Sequence, residues 1–253
     1  MVNKMIVVIT QARVGSSRLP SKVLKIIGEQ TLLDIHLKRL NRSKLANKII
    51  VATTFEDGVD HILDIVKRNN VNVFQGSTDD VLDRFYSAVK NEKADYVVRV
   101  TSDCPLIDPD LLDGIIQKTI EEELDYCSNQ LQEKFPDGQD VEVMTFSALE
   151  KAWSLTSVKS DREHVTPFIR NNSTFMNGVI FKSADFPSDK NYNDVRMTVD
   201  EQKDFDAVAI LVNELGINRG WKEYTQYILD NPEKFENQKI IRNQGYLRSL
   251  KKV

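Results

Sequence analysis

The chain has 253 residues, 41% of them hydrophobic and 28% charged, with a net charge of −4. That length can bury a substantial core, and the balance reads as soluble and globular and excludes a disordered chain. The charge gives no reason to expect a nucleic-acid partner, and no apolar run approaches the length of a membrane span.

Residues 1–9 hold one lysine and a very short apolar segment with no small-residue cleavage pattern after it, too little for a signal peptide. Cys104 and Cys127 have no metal-ligand spacing and are too few for a disulfide framework, which fits a reducing cytoplasm, and the lack of a long apolar run gives no reason to expect a membrane partner.

Residues 5–10 (MIVVIT) read as a central, parallel-type strand, continuously apolar and rich in Val and Ile. The run ends in a polar loop where Arg13, Arg18 and Lys22 surround Gly15, Ser16 and Ser17. Small residues let backbone N–H groups approach phosphate oxygens, and cations offset the charge, so the loop is a candidate polyanion cradle. A basic surface turn explains the same residues. The Walker A spacing is absent, as are two of the three glycines of the dinucleotide fingerprint.

Residues 31–42 carry Leu33, Leu37 and Leu40 at helical spacing behind Thr31, a candidate N-cap. A strand at 48–53 and a helix at 57–69 follow, the helix with Val59, Ile62, Leu63 and Val66 on one face. Then come a short strand at 71–74 and a helix at 79–91, with Val81, Leu82, Phe85 and Val89 inward. A strand at 95–101 and a helix at 110–122 complete the series. The alternation predicts βαβ units with right-handed crossovers and a mostly parallel sheet. Ligands of such sheets bind beyond the carboxyl ends of the strands, where both the opening loop and residues 101–103 lie.

After residue 122 the pattern changes. Strands are predicted at 124–128, 140–146, 174–181 and 195–199, around a turn-rich loop at 135–139. Helices are predicted at 147–155 and 161–171, the second interrupted by Pro167. The stretch 124–199 reads as an extension built on the sheet, suited to acceptor recognition or a dimer contact. Helices at 201–215 and 221–229 precede a basic end, a solvated tail or packing arm that holds Lys239, Arg242, Arg248, Lys251 and Lys252.

Several residues are candidates for chemistry. Asp103 lies just past a strand, and a single carboxylate there suits Mg²⁺ bound together with substrate phosphates. A turn aspartate holding its own backbone explains it equally. Asp200 also follows a strand, but before a helix it reads locally as an N-cap. Gly76 and Ser77 end a strand where close backbone approach to a base or ribose is possible; Arg84, one turn into the next helix, is placed to reach the same crevice or is a solvated helix residue. Arg162 and His164 are candidates for an anionic acceptor, or for an ion-paired surface helix. Asp140 and Glu142 are candidate acceptor ligands, or an exposed strand face. His36 and His61 read as structural or surface residues, and no histidine cluster suits zinc. No Gly-x-Ser-x-Gly elbow supports a covalent nucleophile.

Taken together, the segments QARVGSSRLPSK (11–22), VATT (51–54), GSTDDVLDRF (76–85), RVTSDCPLID (99–108), DVEV (140–143), REHVTPFI (162–169) and RMTVDEQKDF (196–205) resemble the cytidylyltransferase superfamily of CMP-sugar-acid synthetases. The branch they resemble most is the spore-coat-polysaccharide type. The resemblance implies a three-layer α/β/α Rossmann-like nucleotide-diphospho-sugar transferase fold. The segments span most of the chain as far as about residue 216; a single domain over 1–230 is expected, with 231–253 as a tail. It implies transfer of CMP from CTP to a sugar acid with Mg²⁺ and release of pyrophosphate, feeding surface polysaccharide or glycan synthesis.

By the same resemblance, Arg13 and Lys22 contact phosphates around Gly15, Ser16, Ser17 and Arg18, and Gln11 and Ala12 lie beside the base. Gly76 and Ser77 approach the nucleotide, and Asp103 and Asp200 hold the metal, which reverses the local reading of Asp200 as a cap. A homodimer through 124–199 is also expected. The acceptor-pocket signatures of the sialic-acid and keto-deoxyoctulosonate branches are not matched, so the acceptor stays open. Two other readings remain at this point: a metal-dependent glycosyltransferase, against which the lack of Asp-x-Asp at the fourth strand counts, and a non-catalytic sugar-nucleotide-binding subunit.

Overall fold

A computed structural model describes residues 4–15, 18–240 and 242. The first apolar run becomes β1 (Ile6–Gln11), followed by a small hairpin of β2 (Ile26–Ile27) and β3 (Gln30–Thr31). The chain then alternates: α1 (Leu32–Leu40), β4 (Lys48–Thr53), α2 (Val59–Arg68), β5 (Asn72–Gln75), α3 (Val81–Val89), β6 (Tyr96–Thr101) and α4 (Pro109–Glu121). Beyond these lie β7 (Tyr126–Ser128), β8 (Glu142–Thr145), α5 (Phe146–Leu155), α6 (Lys159–His164), α7 (Pro167–Asn171), β9 (Ser183–Asp185), α8 (Gln202–Leu215) and α9 (Trp221–Asp230).

The sheet order is β5-β4-β1-β6-β8-β7-β9. The first four strands run parallel, β8 runs antiparallel to both β6 and β7, and β9 pairs parallel with β7. Helices cover both faces, because successive residues of a strand point to opposite sides. On one face Ile6 and Val8 pack with Leu33, Leu37, Ile62, Ile65 and Ile115 from α1, α2 and α4. On the other, Val7 and Ile9 pack with Leu82, Phe85 and Leu149 from α3 and α5. The mostly parallel α/β/α architecture therefore follows from the apolar runs and the amphipathic helices between them. On α2 the buried residues are Ile62, Ile65 and Val66, whereas Leu63 and Val59 are only partly covered.

Two predicted strands are not formed. Residues 174–181 instead contain a 3₁₀ turn at Thr174–Met176 and an isolated bridge between Ser173 and Phe181. Asn177 adopts a left-handed φ of 63° there, and a Cβ on Gly178 would collide with the Asn172 backbone, so the chain folds back too tightly for a strand. The strand in this region is β9, further on. Residues 195–199 make one parallel bridge, Asp137 to Arg196, and their buried Val195, Met197 and Val199 pack on α8 and α9. Their neighbour is the loop 135–140 and not a strand. The helix predicted at 161–171 is two, α6 and α7, broken at Val165 (φ 73°) just before Thr166-Pro167.

The end of the chain is a packing arm as far as it is described. Phe235 and Asn237 are buried, and the Asn237 and Gln238 side-chain amides donate to the Arg196 carbonyl. Arg248, Lys251 and Lys252 lie outside the described residues. Among the described residues no helix is long and apolar enough to cross a membrane.

Candidate active site

Strand order reverses at β1. β4 and β5 extend the sheet to one side of it, and β6 starts the other side. A crevice opens at such a reversal, beyond the carboxyl ends of the strands. Gln11 and Thr101 are register partners there, so the loop leaving β1 and the turn leaving β6 lie side by side. The Glu56 carboxylate pins the root of the first loop, accepting from the Val14 amide at 2.6 Å and the Gly15 amide at 3.1 Å. The loop closes where Ser21 N–H donates to the Val14 carbonyl at 3.2 Å, and Lys22 opens a 3₁₀ turn, Lys22–Leu24. Ser16 and Ser17 lie outside the described residues. Arg13 is exposed, and no described carboxylate pairs with it.

Lys22 reaches across the crevice. Its ammonium donates to Asp103 Oδ2 at 2.9 Å, Asp200 Oδ1 at 3.0 Å and the Val199 carbonyl at 2.9 Å. Arg18 reaches the same Asp200 oxygen at 2.9 Å. Burial alone would lower the Lys22 pKa, but the charges of Asp103 and Asp200 outweigh it and raise it. Burial likewise pushes the Asp103 carboxyl up, and the ammonium beside it overrides this and holds it well below the usual carboxylate range.

The two aspartates are braced to each other through the backbone. Val199 N–H donates to the Asp103 carbonyl at 2.7 Å, and the Thr198 hydroxyl donates to it at 3.2 Å. Asp200 does not cap α8. Asp204, inside the helix, takes the Asp200 and Glu201 amides at 3.0 Å each, which leaves the Asp200 carboxylate turned toward the crevice.

Behind Asp200 lies Arg196, almost wholly buried. It grips both Asp204 oxygens at 2.8 and 2.9 Å, donates to Asp137 at 2.6 Å and sits 3.5 Å from Asp200 Oδ2. Gly138 lets the Asp137 loop come this close: its φ is +103°, and a Cβ would lie 2.6 Å from the Thr198 amide nitrogen. Asp140, a candidate acceptor ligand, pairs with Arg242 of the carboxyl-terminal arm at 2.8 Å. Neither Arg196 nor Glu56 stood out in the sequence; the only local signal for Arg196 was its place in RMTVD.

On the other side of the first loop, Ala12 is buried and its amide donates to the Ala52 carbonyl at 3.2 Å. Gly76 closes this side, where a Cβ would meet the Phe74 ring at 2.8 Å. The Ser77 hydroxyl accepts from the Asp80 amide at 3.0 Å, and its carbonyl accepts from Arg84. Gln11 Oε1, Thr53 Oγ1 and Thr54 Oγ1 are buried with no hydrogen-bond partner among the described residues. Sequence reasoning passed over both threonines, although they end the VATT segment.

The other acceptor candidates are held elsewhere. Glu142 is buried, accepting from the Tyr126 hydroxyl at 2.6 Å and from Arg99, so it is not an exposed strand face. Arg162 staples α6 to the start of α3 through Asp80 at 2.6 Å, and also donates to the Trp153 and Thr156 carbonyls. His164 ends α6, partly buried, and burial lowers its pKa.

Residues 7–250 match the family model described as cytidylyltransferase. The chain belongs to the cytidylyltransferase family. This cytidylyltransferase is 36% identical over 242 residues to an uncharacterised protein of Methanocaldococcus jannaschii, covering 95% of this chain and 97% of that one. It is 32% identical over 216 residues to the spore coat polysaccharide biosynthesis protein SpsF of Bacillus subtilis, covering 83% and 88%. Among solved structures, a cytidylyltransferase from Leptospira borgpetersenii superposes with a TM-score of 0.87 at 32% identity, covering 94% of this chain and all of that one. A CMP:2-keto-3-deoxy-manno-octonic acid synthetase complexed with CTP shares the fold, with a TM-score of 0.61 at 16% identity, covering 83% and 99%.

The aspartates around the crevice of this cytidylyltransferase sort into two groups. Asp204 and Asp137 are paired with buried Arg196, and Asp140 with Arg242. Apart from the 3.5 Å approach of Arg196, Asp103 and Asp200 draw their ion-pair partners from the first loop, Lys22 and Arg18.

Proposed function

We propose that the protein transfers CMP from CTP to a sugar acid, with Mg²⁺ and release of pyrophosphate, as a step toward a surface polysaccharide or glycan. One observation carries this reading: Asp103, just past β6, and Asp200, just before α8, converge on one cationic nitrogen at 2.9 and 3.0 Å. Two carboxylates completed by phosphate oxygens and water are a donor set that Mg²⁺ accepts. Among the described residues no group of three or more His, Cys, Asp or Glu could hold a metal, so a nucleotide would supply the remaining ligands. Asp103 and Asp200 would hold the ion, which when bound polarises phosphoryl oxygens and offsets their charge.

The chain's own residues then have defined tasks. Arg13, Arg18 and Lys22 bind the triphosphate and stabilise the charge that builds on it. The loop around Gly15 orients it, and the crevice holds the α-phosphorus in line with the acceptor hydroxyl. A bond forms between that oxygen and the α-phosphorus, and the bond from the α-phosphorus to the bridging oxygen breaks. Pyrophosphate takes the electron pair, and the hydroxyl proton passes to solvent. The base sits by Gln11, Ala12 and Gly76. The working form in this reading is a homodimer, joined through the extension.

The test is a pyrophosphate-release screen that crosses four nucleoside triphosphates with a panel of sugar acids. CTP with at least one sugar acid is expected to react, only with Mg²⁺. Asp103→Asn and Asp200→Asn are each expected to slow the reaction about 100-fold or more with the melting transition retained. No release from any pair, or near-normal rates in either variant, would count against the reading.

A further inference from the structure

The geometry points to Arg196 as a positioning residue that fixes the Asp200 carboxylate for its cation. This inference rests on the proposed role of Asp200 and adds a residue to it. The two Asp200 oxygens face different surroundings. Oδ1 faces the crevice, where Arg18 and Lys22 meet it at 2.9 and 3.0 Å, whereas Oδ2 faces inward, 3.5 Å from the Arg196 guanidinium. Arg196 thus favours the rotation of the carboxylate that turns Oδ1 outward.

Arg196 also holds Asp200 by a second route. Its fork grips both oxygens of Asp204, and one of these takes the Asp200 backbone amide at 3.0 Å. The backbone and the side chain of Asp200 are therefore tied to one guanidinium. A third arm reaches Asp137 at 2.6 Å, and the Asp137 carbonyl accepts from the Met197 amide at 2.7 Å. Arg196 is itself enclosed: its side chain is 6% exposed, and Gln238 of the carboxyl-terminal arm takes its amide at 2.8 Å. Two nitrogens of the planar fork take the two Asp204 oxygens side by side while the third meets Asp137, so lysine would keep the charge and lose the geometry. Residues that orient a metal-binding carboxylate typically shift metal affinity 10- to 100-fold when replaced.

The experiment compares CTP affinity in EDTA with affinity for CTP plus Mn²⁺, by titration calorimetry without acceptor. The ratio of the two measures how well the protein couples metal to nucleotide. In Arg196→Lys this ratio is expected to fall about 10-fold while CTP affinity in EDTA stays as in wild type. A purely structural arginine would lower the melting temperature and leave the ratio alone, and that result overturns the inference. Should Arg196→Lys fail to fold, Asp204→Asn carries the same test, because it weakens the route through the Asp200 amide. An unchanged ratio in folded Asp204→Asn is equally fatal. Wild-type protein that binds CTP with no gain from Mn²⁺ overturns the metal reading of Asp103 and Asp200 and this inference together. A gain in wild type that persists in the variants overturns only the role of Arg196.

Discussion

His36 shows how a single side chain joins the crevice to the stability of the fold. Its ring is wholly buried, with Nδ1 at 3.0 Å from the Cys104 carbonyl and Nε2 at 2.9 Å from the Thr10 hydroxyl. A carbonyl only accepts, so Nδ1 carries the proton, and neutral Nε2 accepts from Thr10. Burial pushes the pKa down from 6.5 to about 4. The unfolded chain takes a proton as pH falls below 6.5, and the folded chain does not until about 4, so acid favours unfolding in that window. His36 therefore contributes fully above pH 6.5 and loses about 2 kcal/mol of that contribution by pH 5. In urea unfolding at pH 7 and pH 5, His36→Gln is expected to lose less stability than wild type over the same interval. Equal losses would refute this account. Of the two sequence readings of His36, structural or surface, its burial selects the first, but its partners were not legible, because Cys104 is 68 residues away. Asp103 and Lys22 were legible as candidates because strand ends and small-residue turns mark crevices. Asp200 was harder: Asp before Glu and a helix is the pattern of a cap, and nothing local says that Asp204 takes over that work from within.

At the level of elements, α3 carries much of one face of the sheet. Phe85 is wholly buried and belongs to the cluster that includes Val7, Ile9, Val97 and Leu149. Phe85→Ala removes that packing and leaves a cavity, at an expected cost of about 3–5 kcal/mol, readable as a lower urea midpoint with an unchanged slope. A cost under 1 kcal/mol would mean that the layer collapses onto the gap. The strand–helix alternation through α4 was legible because each period repeats over several residues. The extension was less so. There the apolar alternation of Val195, Met197 and Val199 reflects packing against α8 and α9, and alternation alone cannot tell a strand from a segment packed on one side. The false strand at 174–181 has a similar origin: its apolar residues are real, but Asn177 and Gly178 make a turn among them.

Across the whole molecule, that same turn leaves apolar surface uncovered. Met176 is 50% exposed and Val179 94% exposed, with Ile180 beside them. Scattered exposed apolar residues are ordinary, but several on one segment suit a contact between copies. Light scattering is expected to give twice the chain mass for wild type, and Val179→Asp is expected to shift it toward the single chain. A wild-type monomer would remove this segment from any dimer contact. What was not legible is the return of the chain's end onto the domain, where Asn237 and Arg242 meet partners 41 and 102 residues away. The basic composition of this arm left a solvated tail and a packing arm both open, and buried Phe235 and Asn237 make its described part a packing arm.

The Lys22 ammonium, seated between Asp103 and Asp200, gives the resting crevice its own counter-ion. A divalent cation arriving alone must evict a charge already held by two carboxylates and a carbonyl, and the displaced lysine has no anion to receive it. Triphosphate supplies that anion. On the proposed reading, metal is expected to enter as the partner of nucleotide and not ahead of it. Lys22→Met is accordingly expected to bind Mn²⁺ alone more tightly than wild type, in a paramagnetic resonance titration, while binding CTP less tightly. Weaker binding of both would mean that Lys22 assists the metal and does not hold its place.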